Sequence, residues 1–513
     1  MTFADLLEAN AEKYGDHTGY VQGERILTHR QYLNRTRQLA NALHQRSARW
    51  QDRIAMLSMN SMEYLEVYGA CEVAAFIIAT VNYRLSPAEM VKILADAAPT
   101  VLIFEAQYAQ IVAEIRTRLP SIKSYLCIGN GPDWAESYEL AVASGRPEAP
   151  PSTRPRPKDL AHLIYTSGTT GQPKGCMLAH QALVSKAQLH AGDMGTVPGD
   201  RLLIVMPLFH VGSRGIVSAG QWRGATIYLL RSFEPSAFLR TLEQEKITIA
   251  HLAPTMVKDV LEHESVEMLD LSSLRVMCYA ASPMPLPTLR RGLEVLGRVF
   301  HQSYGQTEGM ISSLLRSQHC LDGNDVERAR LQSAGQPYPG TQVRIVDESG
   351  NNLPQGAIGE IVYRGPCMFS GYWNDSVKTF ETMREGWIYS GDIGRYDTDG
   401  FLYVVDRKKD MIISGGENIY SREVEEALLS HAAVHEAAVI GVPDAKWGEA
   451  VHAFVSCKEG LALSESALIE HCRQQIASYK KPRSVTFVPS LPKLVNGKVN
   501  KMELRAWHAP SRS

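Results

Sequence analysis

The chain has 513 residues, with 53 Lys and Arg against 55 Asp and Glu and a formal net charge of −2. A chain of this order suits about two to four domains around a large buried core. Near-neutrality removes any whole-chain attraction to nucleic acid or to an anionic membrane surface. Eight cysteines are scattered with no CxxC pair, which speaks against zinc and dithiol redox chemistry and suits reduced thiols in the cytoplasm. The first residues, MTFADLLEANAEKYGDH, lack the basic-then-apolar order of a signal peptide. Val73–Val81, the most apolar early stretch, is too short to cross a bilayer and reads as a buried strand or helix end.

In chain order, FADLLEANAEKY has helical spacing, Arg53–Met59 is a short apolar strand, and MEYLEVYGACEVAA is helical again. Thr100–Glu105 and YLCIG read as strands. This alternation predicts α/β layers around largely parallel sheets. Pro147–Asp159 is a proline-rich and basic connector. The apolar run LAHLIY leads into TSGTTGQPKG, with a helix expected after it. RLLIVMPLFH and ITIAHLAPTMV continue the alternation. Beyond about residue 325 short alternating runs split by Gly, Asn and Asp predict antiparallel sheet or a small barrel. Asp392 is expected in a turn. Ser421, ahead of REVEEALL, is expected to cap a helix. The last hundred residues read as a small α+β domain. A boundary near Lys409 divides the chain into 1–408 and 409–513.

The cluster Thr166 to Gly171, followed by Lys174, admits two readings. One is a tight solvent turn. The other is a phosphate cradle, in which successive backbone N–H groups and hydroxyls surround an anion and glycines let it come close. The Walker A pattern is not met. Further stations follow in order: PLFH, YAASPMP, SYGQTEG, SAGQPYPG, YRGPCMFSGYW, YSGDIG, DRKKDMIISGGENI and NGKVNKMELR. Together they resemble the adenylate-forming acyl-CoA synthetase superfamily over nearly the whole chain.

That resemblance implies a large N-terminal domain of layered α/β sheets with a barrel-like part, and a small mobile C-terminal α+β domain. It implies two half-reactions: carboxylate and MgATP give acyl-AMP and pyrophosphate, and the thiol of coenzyme A then displaces AMP. Thr166, Ser167, Gly168, Thr169, Thr170 and Gly171 would hold the β- and γ-phosphates, with Lys174 nearby. Tyr304 would lie against adenine, Thr307 would touch the α-phosphate, and Glu308 would help hold Mg²⁺. Asp392 and Arg407 would take the ribose. Lys498 would be the catalytic lysine of adenylation, although PKLVNGK departs from the commoner Pro-Arg-Thr-x-x-Gly-Lys. Lys409 would be the pivot of the C-terminal domain, whose Gly415 and Gly416 would come to line the pantetheine tunnel.

His210 would gate or touch the acyl carboxylate, unless it is a core histidine. Arg214, four residues on, would pair with a polar tail of the acid, or else face solvent or an internal acid. Ala280 and Ala281 would narrow the acyl space where relatives often carry Gly. No acid stands in VGSRGIVSAG to meet an ammonium, which disfavours amino-acid substrates. The expected partners are a small carboxylic acid and CoA, with a carrier protein as the alternative acceptor. A non-catalytic nucleotide-binding regulator is a third reading. Neither nucleic acid nor stable membrane insertion is expected, and the chain would act as a monomer or homodimer.

Overall fold

The computed structural model describes residues 1–150, 154–166, 173–461, 463–493 and 499–508. By packing, the chain forms two compact units, one of 1–343 with 363–388 and one of 344–362 with 389–513. Residues 389–408 thus pack with the end of the chain. The boundary at 408/409 concerns where a pivot falls, which packing does not address.

The first unit is built on two sheets. One, of seven strands, has at its centre Arg53–Leu57, Ile77–Val81, Val101–Glu105 and Leu160–Thr166, all parallel. The other, of nine, runs through Arg201–Ile204, Ile249–Leu252, Val276–Tyr279 and Phe300–Gln306, also parallel. Side chains alternate faces along each strand, and the apolar residues divide accordingly. Ile54 and Met56 face one core with Leu202, Ile204 and Cys278 from the other sheet. Their neighbours Ala55 and Leu57 face a second core, and Leu203, Val205 and Met277 face a third. The first core lies between the sheets and takes in helices His29–Gln45, Met62–Ala74 and Val211–Arg223. Three helical layers therefore enclose two sheets. Burying each such Leu, Ile or Val contributes about 1.5–3 kcal/mol. Val73–Val81 is the end of one helix and the whole of a fully buried strand.

The second unit contains most of a five-stranded sheet, whose Trp387–Tyr396 and Leu402–Arg407 pair antiparallel. This sheet occupies the place of the expected barrel-like part. The α+β end of the chain has a long hairpin, Val434–Asp444 with Gly448–Cys457, covered by helices Ser421–Leu429 and Glu465–Gln475. Among the described residues no helix is long and apolar enough to cross a membrane.

Three local expectations are corrected. A strand, Lys174–Ala179, follows the glycine cluster, and the helix starts only at His180. Asp392 lies inside the strand Trp387–Tyr396 and not in a turn. Ser421 is the first residue of its helix, while the cap is Tyr420, whose side chain makes no capping hydrogen bond. The Ser421 hydroxyl instead donates to Asp406 Oδ2 at 2.9 Å and accepts from Lys501 Nζ at 2.7 Å.

Candidate active site

Strands Leu160–Thr166 and Lys174–Ala179 are antiparallel neighbours, and Thr166 stands opposite Lys174. The glycine-rich segment therefore joins the two arms of a hairpin. Ser167, Gly168, Thr169, Thr170 and Gly171 lie outside the described residues. Thr166 and Lys174, at the mouth of the hairpin, are fixed by ladder hydrogen bonds. Segment 370–373 runs beside the second arm: Met177 N donates to Gly371 O at 3.0 Å and Trp373 N to Gly175 O at 2.7 Å.

Thr307 and Glu308 form a tight turn. They join Phe300–Gln306 to Gly309–Leu314, with Gln306 paired to Gly309. Gly309 has to be glycine here, since a Cβ would come within 2.7 Å of the Tyr363 ring. Tyr304 sits on the first arm, opposite Ser312.

Tyr372 links this turn to the start of the strand Lys174–Ala179. Its hydroxyl donates to Glu308 Oε1 at 2.5 Å, and Lys174 Nζ lies 5.0 Å from the centre of its ring. Burial, then the charge of Glu308, raises the Tyr372 phenol well above its ordinary range, so it stays a donor. An ammonium over an aromatic face contributes about 0.5–1 kcal/mol where exposed and more where water is excluded. The arrangement sets one cation and one carboxylate around one ring. Sequence reasoning quoted Tyr372 inside YRGPCMFSGYW and gave it no role. Spacing offered no signal, because its two partners lie 64 and 198 positions upstream in the chain.

The loop Pro207–His210 is held from three sides. Asn60 Nδ2 donates to the carbonyls of Val205 and Met206 at 3.2 and 3.1 Å, and Asn60 Oδ1 accepts from Leu208 N at 2.8 Å. The Tyr68 hydroxyl donates to Leu208 O at 2.8 Å, and Thr80 to Phe209 O at 3.2 Å. His210 itself is the cap residue of helix Val211–Arg223, half-buried, with its ring 4.3 Å from that of Phe209.

Arg214 is a correction to the acyl-pocket expectation. It is 1% exposed. Its guanidinium donates to Glu72 Oε1 at 2.5 Å, to Ser218 Oγ at 2.7 Å and to Gln221 Oε1 at 2.9 Å, between the rings of Phe3 and Tyr68. Glu72 Oε1 also meets His162 Nε2 at 2.8 Å. Burial alone would raise the Glu72 carboxyl, but Arg214 and His162 overcome it and hold it below the usual range. The internal acid, and not a substrate, thus meets the arginine's charge. Ala280 is half-buried and Ala281 exposed just past the strand Val276–Tyr279. Ala281 has φ +75°, a left-handed conformation that costs a non-glycine residue about 1–2 kcal/mol.

In the second unit, Asp392 is 2% exposed and its Oδ1 lies 2.7 Å from Arg407 Nε, directly across the strand pair. Lys409 follows in the turn after Arg407. Partial burial, with Arg407, Arg505 and Lys501 nearby and Asp410 opposing, lowers its ammonium below the usual lysine range. Gly415 and Gly416 form a two-residue hairpin turn between Ser414 and Glu417, with φ +61° and +86°. Both require glycine for that turn, and a Cβ on Gly415 would also come within 2.6 Å of Trp447. Lys498 lies outside the described residues.

The chain matches the AMP-binding enzyme family over residues 7–373 and the C-terminal domain of AMP-binding enzymes over 423–498. It is 37% identical over 493 residues to a feruloyl-CoA synthase of an Amycolatopsis species, with 95% of each chain covered. It is 33% identical to a fatty acid–[acyl-carrier-protein] ligase of Streptomyces coeruleorubidus, covering 94% of this chain and 91% of that one. Among solved structures it is similar to the anthranilate CoA ligase AuaEII in complex with anthranoyl-AMP, at 29% identity and TM-score 0.90, with 99% and 97% covered. Fold and motifs together define an adenylate-forming enzyme. The chain belongs to the AMP-binding enzyme family, and its class is that of the AMP-forming acid–thiol ligases.

Proposed function

We propose that this protein joins an organic acid to coenzyme A in two steps at the expense of ATP, with AMP and pyrophosphate as by-products. The observation that carries this reading is the Lys174–Tyr372–Glu308 arrangement, which sets a cation and a carboxylate beside the mouth of a glycine- and hydroxyl-rich hairpin.

A carboxylate resists a thiol because its leaving group would be oxide. In the first step a carboxylate oxygen attacks the α-phosphorus of ATP, and the bond to pyrophosphate breaks. In the second, the CoA sulfur attacks the acyl carbon and AMP departs with that oxygen. Such chemistry depends on positioning and on charge stabilisation. In this reading Thr166, the 167–171 segment and Lys174 hold the β- and γ-phosphates, Tyr304 lies against adenine and Thr307 meets the α-phosphate. Asp392, kept in place by Arg407, accepts from the ribose hydroxyls. Lys498 bridges carboxylate and α-phosphate as charge builds, and His210 borders the acyl carboxylate. Lys409 is the pivot about which 409–513 turns between steps, bringing Gly415 and Gly416 to the pantetheine arm.

Among the described residues no group of three His, Cys, Asp or Glu is placed to hold a metal ion. A lone carboxylate at Glu308 therefore fits only an ion that arrives with phosphate oxygens, which is how Mg²⁺ is usually held. Glu308 would hold that Mg²⁺, whose chemistry is to offset phosphate charge.

A second acceptor has one specific support, the likeness to a ligase that loads a carrier protein. A cytoplasmic location belongs to the same reading, and eight free cysteines suit it. The test is a panel of carboxylic acids scored by pyrophosphate release, with CoA, with holo-carrier protein, and with neither. The proposal expects pyrophosphate without a thiol and a thioester with CoA. Thioester with the carrier alone would favour the second reading, and pyrophosphate release with no acid in the panel would contradict both.

A further inference from the structure

The inner face of the nine-stranded sheet carries polar side chains that the chemistry above does not use. His251 pairs with Cys278, and Cys278 pairs with His301, across three adjacent parallel strands. Partners in register point to one face, and Cys278 faces the core between the sheets. The three therefore stand in a row, and all are buried. Lys186 and His190, one turn apart on helix His180–Asp193, are buried too.

The helix after His210 presents glycine to these groups. A Cβ at Gly215 would lie 3.4 Å from both Lys186 Cδ and His190 Nε2, and one at Gly212 would lie 3.7 Å from His251 Cε1. His190 Nδ1, His251 Nδ1 and both ring nitrogens of His301 have no hydrogen-bond partner among the described residues. Burial lowers the Lys186 ammonium below the usual lysine range, with Cys367, Cys176 and Glu308 opposing through space, and among the described residues no carboxylate bonds to it. Burial holds His251 near about 4 and His301 near about 3, so both rings are neutral at physiological pH. A packed core has no use for such groups, since burying unmet donors is costly and apolar residues fill the same volume better. A metal is not the occupant, because no group of three His, Cys, Asp or Glu among the described residues is placed to hold one.

We infer that Lys186, His190, His251 and His301 form the far wall of the acyl pocket. The acid taken here carries a second oxygen-bearing group, such as a ring hydroxyl, carbonyl or carboxylate, remote from the reacting carboxylate. The ammonium and ring N–H groups donate to that oxygen. A plain hydrocarbon tail would bury them unmet. The inference rests on the ligase reading above and on these residues' own packing.

Two matched pairs of acids test it: cinnamate against 4-hydroxycinnamate, and hexanoate against hexanedioate. The readout is kcat/KM for pyrophosphate release by the wild type, Lys186→Met and His301→Phe, with a thermal melt to verify that each variant is folded. The wild type is expected to prefer the oxygenated member of at least one pair by about tenfold or more. In both variants that ratio is expected to fall to within about threefold, with the loss concentrated on the oxygenated acid. Preference for the plain acid in both pairs would overturn the inference, as would an equal loss on both members. Turnover of all four acids without discrimination would overturn it while leaving the ligase reading intact. No pyrophosphate release with any of the four would count against both.

Discussion

Tyr372 donates its phenol hydrogen to Glu308 Oε1 across 2.5 Å, which joins a turn of the nine-stranded sheet to the segment that flanks the glycine-rich hairpin. A hydrogen bond to a charged acceptor contributes about 1.5–3 kcal/mol. Tyr372→Phe is therefore expected to lower kcat/KM for acyl-AMP formation by roughly tenfold or more, and to raise the Mg²⁺ concentration needed for half-maximal rate. Initial rates of pyrophosphate release across a Mg²⁺ series measure both. An unchanged Mg²⁺ dependence would remove Tyr372 from the site.

Lys498→Ala is expected to abolish acyl-AMP formation and to leave thioester formation from preformed acyl-AMP largely intact. Lys409→Pro is expected to do the reverse, because a proline would stiffen the proposed pivot while lying outside the residues assigned to the first step. The two half-reactions, assayed separately, check both. Equal loss in the two steps would contradict either role.

The Glu72–Arg214 pair is fully buried, at 0% and 1% side-chain exposure. Removing one partner strands the other charge, which typically costs about 3–5 kcal/mol. Glu72→Gln should therefore lower the urea midpoint markedly, whereas the double variant Glu72→Met with Arg214→Met should lose less. A single variant as stable as the wild type would show that the pair carries no such cost.

Acid should destabilise the first unit early. Burial lowers His180, His251 and His319 to about 4, His301 to about 3, and His190 well below its ordinary value. The unfolded chain binds these protons near pH 6.5 and the folded chain does so only later, so unfolding takes up protons in between. Stability is then full above about pH 6.5 and falls as pH drops toward 4, by about 1.4 kcal/mol per pH unit for each histidine. Glu66 and Asp193, whose carboxyls burial raises, act in the opposite direction, but they are fewer. Urea midpoints from pH 7.5 to 4.5 would show the decline, and a flat profile would contradict it.

The layered α/β architecture was legible because strands buried on both faces, such as Ile77–Val81, are short and continuously apolar. The motif positions were legible because Thr166 and Lys174 lie at strand ends, and Thr307 and Glu308 in a tight turn, with characteristic residues. Other features depend on contacts distant in the chain. Arg214 and Glu72 are 142 positions apart, so the sequence left a substrate tail, solvent and an internal acid all open for Arg214, and the fold supplies the acid. The Ser421 hydroxyl was read as a cap, but Asp406 takes it through a contact 15 residues back. The strand Lys174–Ala179 was missed because KGCMLA is too short to reveal its period.

The account turns on transfer of a carboxylate oxygen to AMP. Whichever acid of the panel releases pyrophosphate, labelled with ¹⁸O in both carboxylate oxygens and incubated with the protein, ATP, Mg²⁺ and CoA, tests this most directly by mass spectrometry of the nucleotide. One ¹⁸O in each AMP formed, in step with the acyl-CoA, is the predicted result. Unlabelled AMP, or ADP and phosphate in its place, would contradict it.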